Sequence, residues 1–199
     1  IRLTPNASGT GTVTLTVPST NTDRTITLPD TTGTLLDSSG QGVDLSYLTA
    51  NIAYPNLSTT GMTTGWARLK TSPTTNAKSD VLGVLGNAMT ESSGVFTFPS
   101  TGIWAVHTDF CVSGAGTDTW YPRIYHTTDN FSTEGTSSLA LANTFTGVSS
   151  GRHTLEFFDI QDVSNYKVRF ALGSLASGHI EGNTDFMRSW VSFQKVGDT

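Results

Sequence analysis

One run constrains the fold of this chain more than any other: residues 94–112, GVFTFPSTGIWAVHTDFCV. Phe96 and Phe98 alternate with polar neighbours, and Pro99-Ser100-Thr101-Gly102 carries turn chemistry before a second strand. Side chains alternate faces along a strand. Trp104, Val106, Phe110 and Val112 therefore point one way, and Ala105, His107, Asp109 and Cys111 the other. The expectation is a hairpin with a heavily aromatic buried face.

The β pattern runs from Gly61 to the C-terminus. Short strands are expected at 66–70, 81–85, 120–125, 138–142, 153–160, 166–172 and 187–196, and Pro122 marks 120–125 as an edge or bulged strand. Alternation is clearest where Tyr166, Val168, Phe170 and Leu172 oppose Lys167, Arg169 and Ala171. Many short strands with turn signals between them and no convincing long helix predict an all-β sandwich or barrel over 61–199.

The first block, 1–36, is thinner. Val13, Leu15 and Val17 share one face of a strand against Thr12, Thr14 and Thr16, and Ile26 and Leu28 share another. At about 25 cal/mol per Å² of buried apolar surface, so little area does not offset the ordering entropy of the segment. It reads as a β-rich shaft or anchoring segment whose core comes from partner chains; a disordered Thr-rich leader is the alternative. Residues 37–60 read as a neck. A polar joint precedes Leu45, Leu48 and Ile52, whose spacings of three and four predict one or two helical turns with Asp44 near the N-terminal end; a surface loop is the alternative. Beginning at Ile1, the chain reads as a fragment or a processed product.

Composition excludes several functions. Only 14% of residues are charged, the net charge is −5, and the few basic residues are scattered, which argues against a nucleic-acid partner. No run approaches the length of a membrane span, so no membrane insertion is expected. The single Cys111 excludes an intrachain disulfide framework and reads as a small buried hydrophobe. His107, His126, His153 and His179 sit in separate strands or loops without metal-ligand spacing, so no metal and no cofactor are expected. Asp118, Asp129, Glu134, Glu181 and Asp185 lie near loops but lack Ca²⁺-loop spacing. His107 and Asp109 share a face, yet no serine occupies a nucleophile elbow, and the chain is not expected to be an enzyme.

Two resemblances bear on this reading. Gly94, Phe96, Pro99, Gly102 and Trp104 match the glycine–x–phenylalanine–x–x–proline–x–x–glycine–x–aromatic signature of the complement 1q and tumour-necrosis-factor-like jelly roll, with Trp104 where the family usually has tyrosine. The resemblance covers roughly residues 61–196 and implies a homotrimeric jelly-roll head. The stretch TVTLTVPSTNTDRTITLPDTTGTLL is similar to segments of predicted tail fibres and other bacteriophage appendage proteins. Together they imply a trimeric virion fibre protein on the particle surface, extracellular to the host. Its N-terminal region would meet other virion proteins and its head a host surface glycan or protein. The alternatives are a capsid-anchored head fibre or decoration protein, and a glycan-cleaving appendage module, which would need a carboxylate pair at catalytic spacing.

Receptor contacts on such a scaffold are expected on loops. The best equipped segment is 118–136, with Trp120, Tyr121, Tyr125, His126, Asp129, Asn130 and Phe131, because rings beside short polar groups stack on and hydrogen-bond sugars. A second is 177–185, with His179, Glu181, Asn183 and Asp185. That Trp120 and Tyr125 instead face the core or a neighbouring subunit stays open.

Overall fold

Period-two burial organises almost every element. The computed structural model describes residues 42–53, 61–69, 84–138 and 141–199, all within one unit, Leu36–Thr199. The expected shaft strands at 11–17 and 24–28 lie outside the described residues, as does most of the expected strand at 81–85. The strands are β1 Val43–Leu48, β2 Ile52–Ala53, β3 Trp66–Arg68, β4 Val84–Leu85, β5 Thr90–Ser92, β6 Val95–Thr97, β7 Gly102–Ser113, β8 Asp118–Thr127, β9 Gly135–Ser138, β10 Ala142–Thr144, β11 Ser149–Ile160, β12 Lys167–Gly173, β13 His179–Ile180 and β14 Trp190–Gly197.

Among the described residues these strands form two antiparallel sheets and no helix. The large sheet runs β2-β13-β7-β14-β1-β3, with β11 along the other edge of β7 and β4 beside β1. The small sheet runs β10-β8-β12-β6-β5, with β9 beside β8. Sandwiched between them is an aromatic core. Phe96 and Phe170 of the small sheet meet Phe193 of the large one at ring-centroid distances of 5.1 and 6.1 Å, and Phe110 lies 6.1 Å from Phe170. Burying each such side chain contributes about 1.5–3 kcal/mol, and suitably tilted pairs add about 0.5–1.5 kcal/mol. Thr108 is fully buried opposite Thr154, and their hydroxyls satisfy each other at 2.5 Å.

The residues expected to form a hairpin are arranged differently. β6 pairs with β5 and β12, whereas β7 pairs with β11, β14 and β13. Residues 98–101 therefore arch from one sheet to the other, and the aromatic residues meet face to face across the core. Phe98 and Trp104 are both buried with rings 5.5 Å apart, and the Trp104 indole N–H donates to the Ser100 carbonyl at 3.1 Å. At Gly102, φ is +132°, and a Cβ would stand 2.4 Å from Lys195 Cε and 2.5 Å from the Gly197 carbonyl oxygen, so only glycine fits at the arch.

The helical turns expected over 43–53 are strands. Asp44, Ser46 and Leu48 are buried at every second position, and β1 pairs with β14 from Val43↔Gln194 to Tyr47↔Trp190. One or two isolated helical turns are unfavourable, and the ladder to β14 and β3 supplies the backbone partners instead. The strand expected at 138–142 is also displaced: β9 ends at Ser138 and β10 begins at Ala142. Pro122 lies opposite Leu172 of β12, and on its other side it falls between the stretches of β8 paired with β9 and with β10. A residue without an N–H is tolerated at such a gap.

Candidate functional site

The small sheet turns an outer face away from the core, and its side chains follow from strand register. β8 and β12 pair so that Tyr121 faces Gly173, Arg123 faces Ala171, Tyr125 faces Arg169 and Thr127 faces Lys167. Gly173 leaves room for a ring: a Cβ there would stand 2.2 Å from Tyr121. Arg123 lies over both neighbouring rings, 5.2 Å from the Tyr121 centroid and 5.7 Å from that of Tyr125. Its Nη atoms donate to the Tyr121 hydroxyl at 2.5 Å and the Tyr125 hydroxyl at 3.0 Å. The bond to Tyr125 is the main cause that holds the guanidinium above its ordinary pKa, ahead of the burial that opposes it. Arg169 continues the ladder over Tyr125 at 4.8 Å and Phe131 at 5.1 Å, and pairs with Glu134 at 2.6 Å. Cation and ring alternate across this face, each contact adding about 0.5–1 kcal/mol when half-exposed.

The loop after β8 is fixed by its own polar groups. Asp129 accepts from the Thr133 N–H at 2.9 Å and the Thr133 hydroxyl at 2.6 Å, bonds that hold its carboxyl below the usual range. The Thr127 hydroxyl accepts from the Phe131 N–H at 2.8 Å, and the Asn130 N–H donates to the Asn165 carbonyl at 3.0 Å. These bonds keep Asn130 and Phe131 at φ of +58° and +62°, a backbone region that non-glycine residues occupy only under constraint. The strain places the Phe131 ring on Arg169, and Lys167 donates to the Asn130 side chain.

The expected contact residues thus separate. Tyr121, Tyr125, Asn130 and Phe131 gather on the outer face or its loop, although Tyr125 is only 8% exposed. Asp129 is occupied in shaping that loop. Trp120, expected at the contact surface, is instead fully buried, with its indole N–H donating to Ser150 at 2.8 Å; it alternates with Tyr121 and so faces the core. His126 lies on the inner side too, 5.5 Å from the Phe158 ring, over a glycine at 135 that leaves space for it. Its Nδ1 is buried without a hydrogen-bond partner among the described residues. The second expected segment is on the other sheet. Glu181 is buried and bonded to Ser149 and Arg188; those bonds outweigh burial and leave its carboxyl below the usual range. Asn183 accepts from the Asp185 and Phe186 N–H groups at 2.7 and 3.1 Å, and His179 is half-buried in β13. The two segments form no common site.

Arg123, Arg169, Lys167 and Glu134 were absent from the expected set. Their signal lay in the sequence: in Tyr121-Pro122-Arg123-Ile124-Tyr125, a cation stands between two rings at period two.

The large sheet's outer face has another character. His107 and His153 lie 5.5 Å apart, with His153 6.0 Å from Trp190 and directly opposite Asp109. Burial, then the neighbouring His153, holds His107 below its ordinary value. β11 pairs with β7 along twelve residues and with no other strand among those described, and it exposes Leu155 at 43% and Phe157 at 59%.

This two-sheet arrangement recurs in solved structures. The fold is a tumour-necrosis-factor-like jelly roll. Murine APRIL at pH 5.0 superposes with a TM-score of 0.52 at 9% identity, and murine APRIL at pH 8.5 with 0.51 at 8%; each match covers 78% of this chain and 99% of the other. Eiger TNF from S. frugiperda aligns at 11% identity with a TM-score of 0.46, over 79% of this chain and 94% of that one. No protein-family model and no curated protein matches the chain.

Proposed function

We propose that the chain is the distal part of a homotrimeric virion fibre, most simply a bacteriophage tail fibre, whose jelly-roll head attaches to the host cell surface without catalysis. The observation that carries this reading is the open edge of β11. A long edge strand, unpaired along one side among the described residues, that turns Leu155 and Phe157 to solvent is an aggregation hazard unless something covers it, and further copies of the chain are the simplest cover. The resemblance of residues 1–36 to appendage shafts supports a virion location, with that segment meeting other virion proteins. Residues 1–36 are taken as the shaft; β1 and β2, from the segment expected as a neck, pair within the large sheet and so belong with 61–199 to the head. Three heads on one axis multiply a weak contact into firm attachment, and the Tyr121–Arg123–Tyr125–Arg169 ladder with Asn130 and Phe131 is the proposed contact surface.

The mass of the full chain in dilute solution tests the assembly, and a stable folded monomer overturns it. Adsorption to host cells tests the attachment. Joint substitution of Tyr121, Asn130 and Phe131 by serine is expected to abolish adsorption while the chain stays folded, with the melting temperature lowered only by loss of their contacts with Arg123, Lys167 and Arg169. Unchanged adsorption would remove this face from the contact.

A further inference from the structure

Apart from the ladder, edge strands of the two sheets border an open cleft of about 330 Å³, lined by Ser46, Trp66, Arg68, Thr90 and Glu91 with Ala67 and Met89. Sites for small ligands span about 300–1,000 Å³ and join an apolar wall to a few convergent polar groups. Here β3 of the large sheet brings Trp66 and Arg68, β5 of the small sheet brings Thr90 and Glu91, and β1 brings Ser46.

The polar groups are held in place. The Arg68 Nε–H lies 2.9 and 3.1 Å from the two carboxylate oxygens of Asp44, and one Nη donates to the Met89 carbonyl. Asp44 is 1% exposed and also accepts from the Met89 N–H at 2.8 Å, whereas the Arg68 side chain is 39% exposed. A carboxylate buried at this expense of hydration is weak evidence for stability. What it achieves is orientation: it fixes a guanidinium at the cleft wall with three of five N–H donors left over. Opposite, Glu91 uses Oε1 to accept from the Gly94 N–H at 2.7 Å, and its second oxygen stays an acceptor. Trp66 is anchored by its indole N–H, which donates to the Met62 carbonyl at 2.7 Å, and by its edge-on contact with Phe96 at 5.4 Å.

The geometry points to a saccharide site: the cleft takes a neutral sugar ring, with adjacent hydroxyls shared between Arg68 and Glu91 and the ring face against Trp66. An anion would suit Arg68 but meet the Glu91 carboxylate, and a purely apolar ligand would leave the spare N–H donors of Arg68 and the second oxygen of Glu91 unused. A hydroxyl both donates and accepts, so a vicinal pair satisfies both groups, with Ser46 and Thr90 as further partners. The site is separate from the ladder and does not depend on attachment to cells. Adsorption unchanged by the ladder substitutions, with saccharide binding intact, would refute the attachment reading alone.

Saturation-transfer NMR on the full chain, with maltose, cellobiose and lactose as probes and glucuronate as the charged comparison, tests the site. Transfer to ring protons of at least one neutral disaccharide is expected, with glucuronate at least tenfold weaker. Thr90→Ala and Glu91→Gln should each weaken binding about tenfold at unchanged melting temperature, since the glutamine carbonyl can still accept from Gly94. Arg68→Lys keeps a cation opposite Asp44 and should also weaken binding. No transfer from any neutral disaccharide, stronger transfer from glucuronate, or affinity indifferent to Thr90→Ala and Glu91→Gln would each overturn the proposal.

Discussion

The outer faces of the two sheets differ far more than their inner faces do. Inside, both carry the same chemistry: Trp104, Phe110 and Phe193 from one sheet, Phe96 and Phe170 from the other, all buried. Outside, the small sheet stacks guanidinium groups on tyrosine rings and bonds Arg123 to two tyrosine hydroxyls, while the buried Nε atoms of Arg123 and Arg169 have no partner among the described residues. The large sheet exposes Leu155 and Phe157 along an open edge beside a histidine pair. A core obeys one rule, removal of apolar area from water. An outer face answers to whatever meets it, and these two are built to meet different things.

The largest effect expected from this contrast is on assembly. Leu155→Asp combined with Phe157→Asp should convert the proposed trimer wholly to a folded monomer, because exposed positions tolerate charge within about 0.5 kcal/mol while a buried interface does not. Replacing Tyr121 by serine on the other sheet should leave the mass unchanged. Mass measured by light scattering decides the matter, and a trimer surviving the double substitution would break the comparison.

A smaller effect is expected within the ladder. Arg123→Met removes two hydrogen bonds and two ring contacts and should lower stability by about 1–2 kcal/mol in denaturant unfolding. Arg123→Lys should not restore it, because an ammonium group does not reproduce the planar fork that reaches both hydroxyls. Full rescue by lysine would show that charge alone matters there.

The smallest is a pH effect confined to the large sheet. His107 is held below its ordinary value of 6.5 by burial and by His153, so the folded chain binds that proton less readily than the unfolded chain. Its contribution to stability is therefore fully present above about pH 6.5 and lost as pH falls below it through the lower value of the folded chain. Asp109 on the same face is shifted up from 3.8 by burial, with His153 opposing, so its contribution has the opposite sign and lies in a more acidic window. Melting temperature measured between pH 7.5 and 5.5 should fall more steeply for the native chain than for His107→Gln. Parallel profiles would show that the histidine pair is inert.

How far the sequence could be read depended on how local each question was. Which side of residues 102–113 is buried follows from alternation, and Trp104, Val106, Phe110 and Val112 are all inside. The same rule sets Trp120 and Tyr121 on opposite faces, so grouping them into one contact surface ignored it. β1 misled for another reason. Leu45, Leu48 and Ile52 fit a helical spacing, and only the pairing with β14 reveals that the buried members are Asp44, Ser46 and Leu48. A buried aspartate looks wrong in a strand until Arg68, brought alongside by β3, comes into view.

By itself, then, the amino-acid sequence determined an all-β head with an aromatic interior and a glycine at the turn before Trp104, because period-two alternation and positive φ are properties of the backbone and its nearest neighbours. Only the tertiary structure decided that residues 98–101 arch between sheets instead of closing a hairpin. It alone brought Arg169 onto both Tyr125 and Phe131, and Glu91 and Arg68 to one cleft. Those choices rest on contacts between residues distant in sequence, whose closure entropy and packing no local pattern encodes.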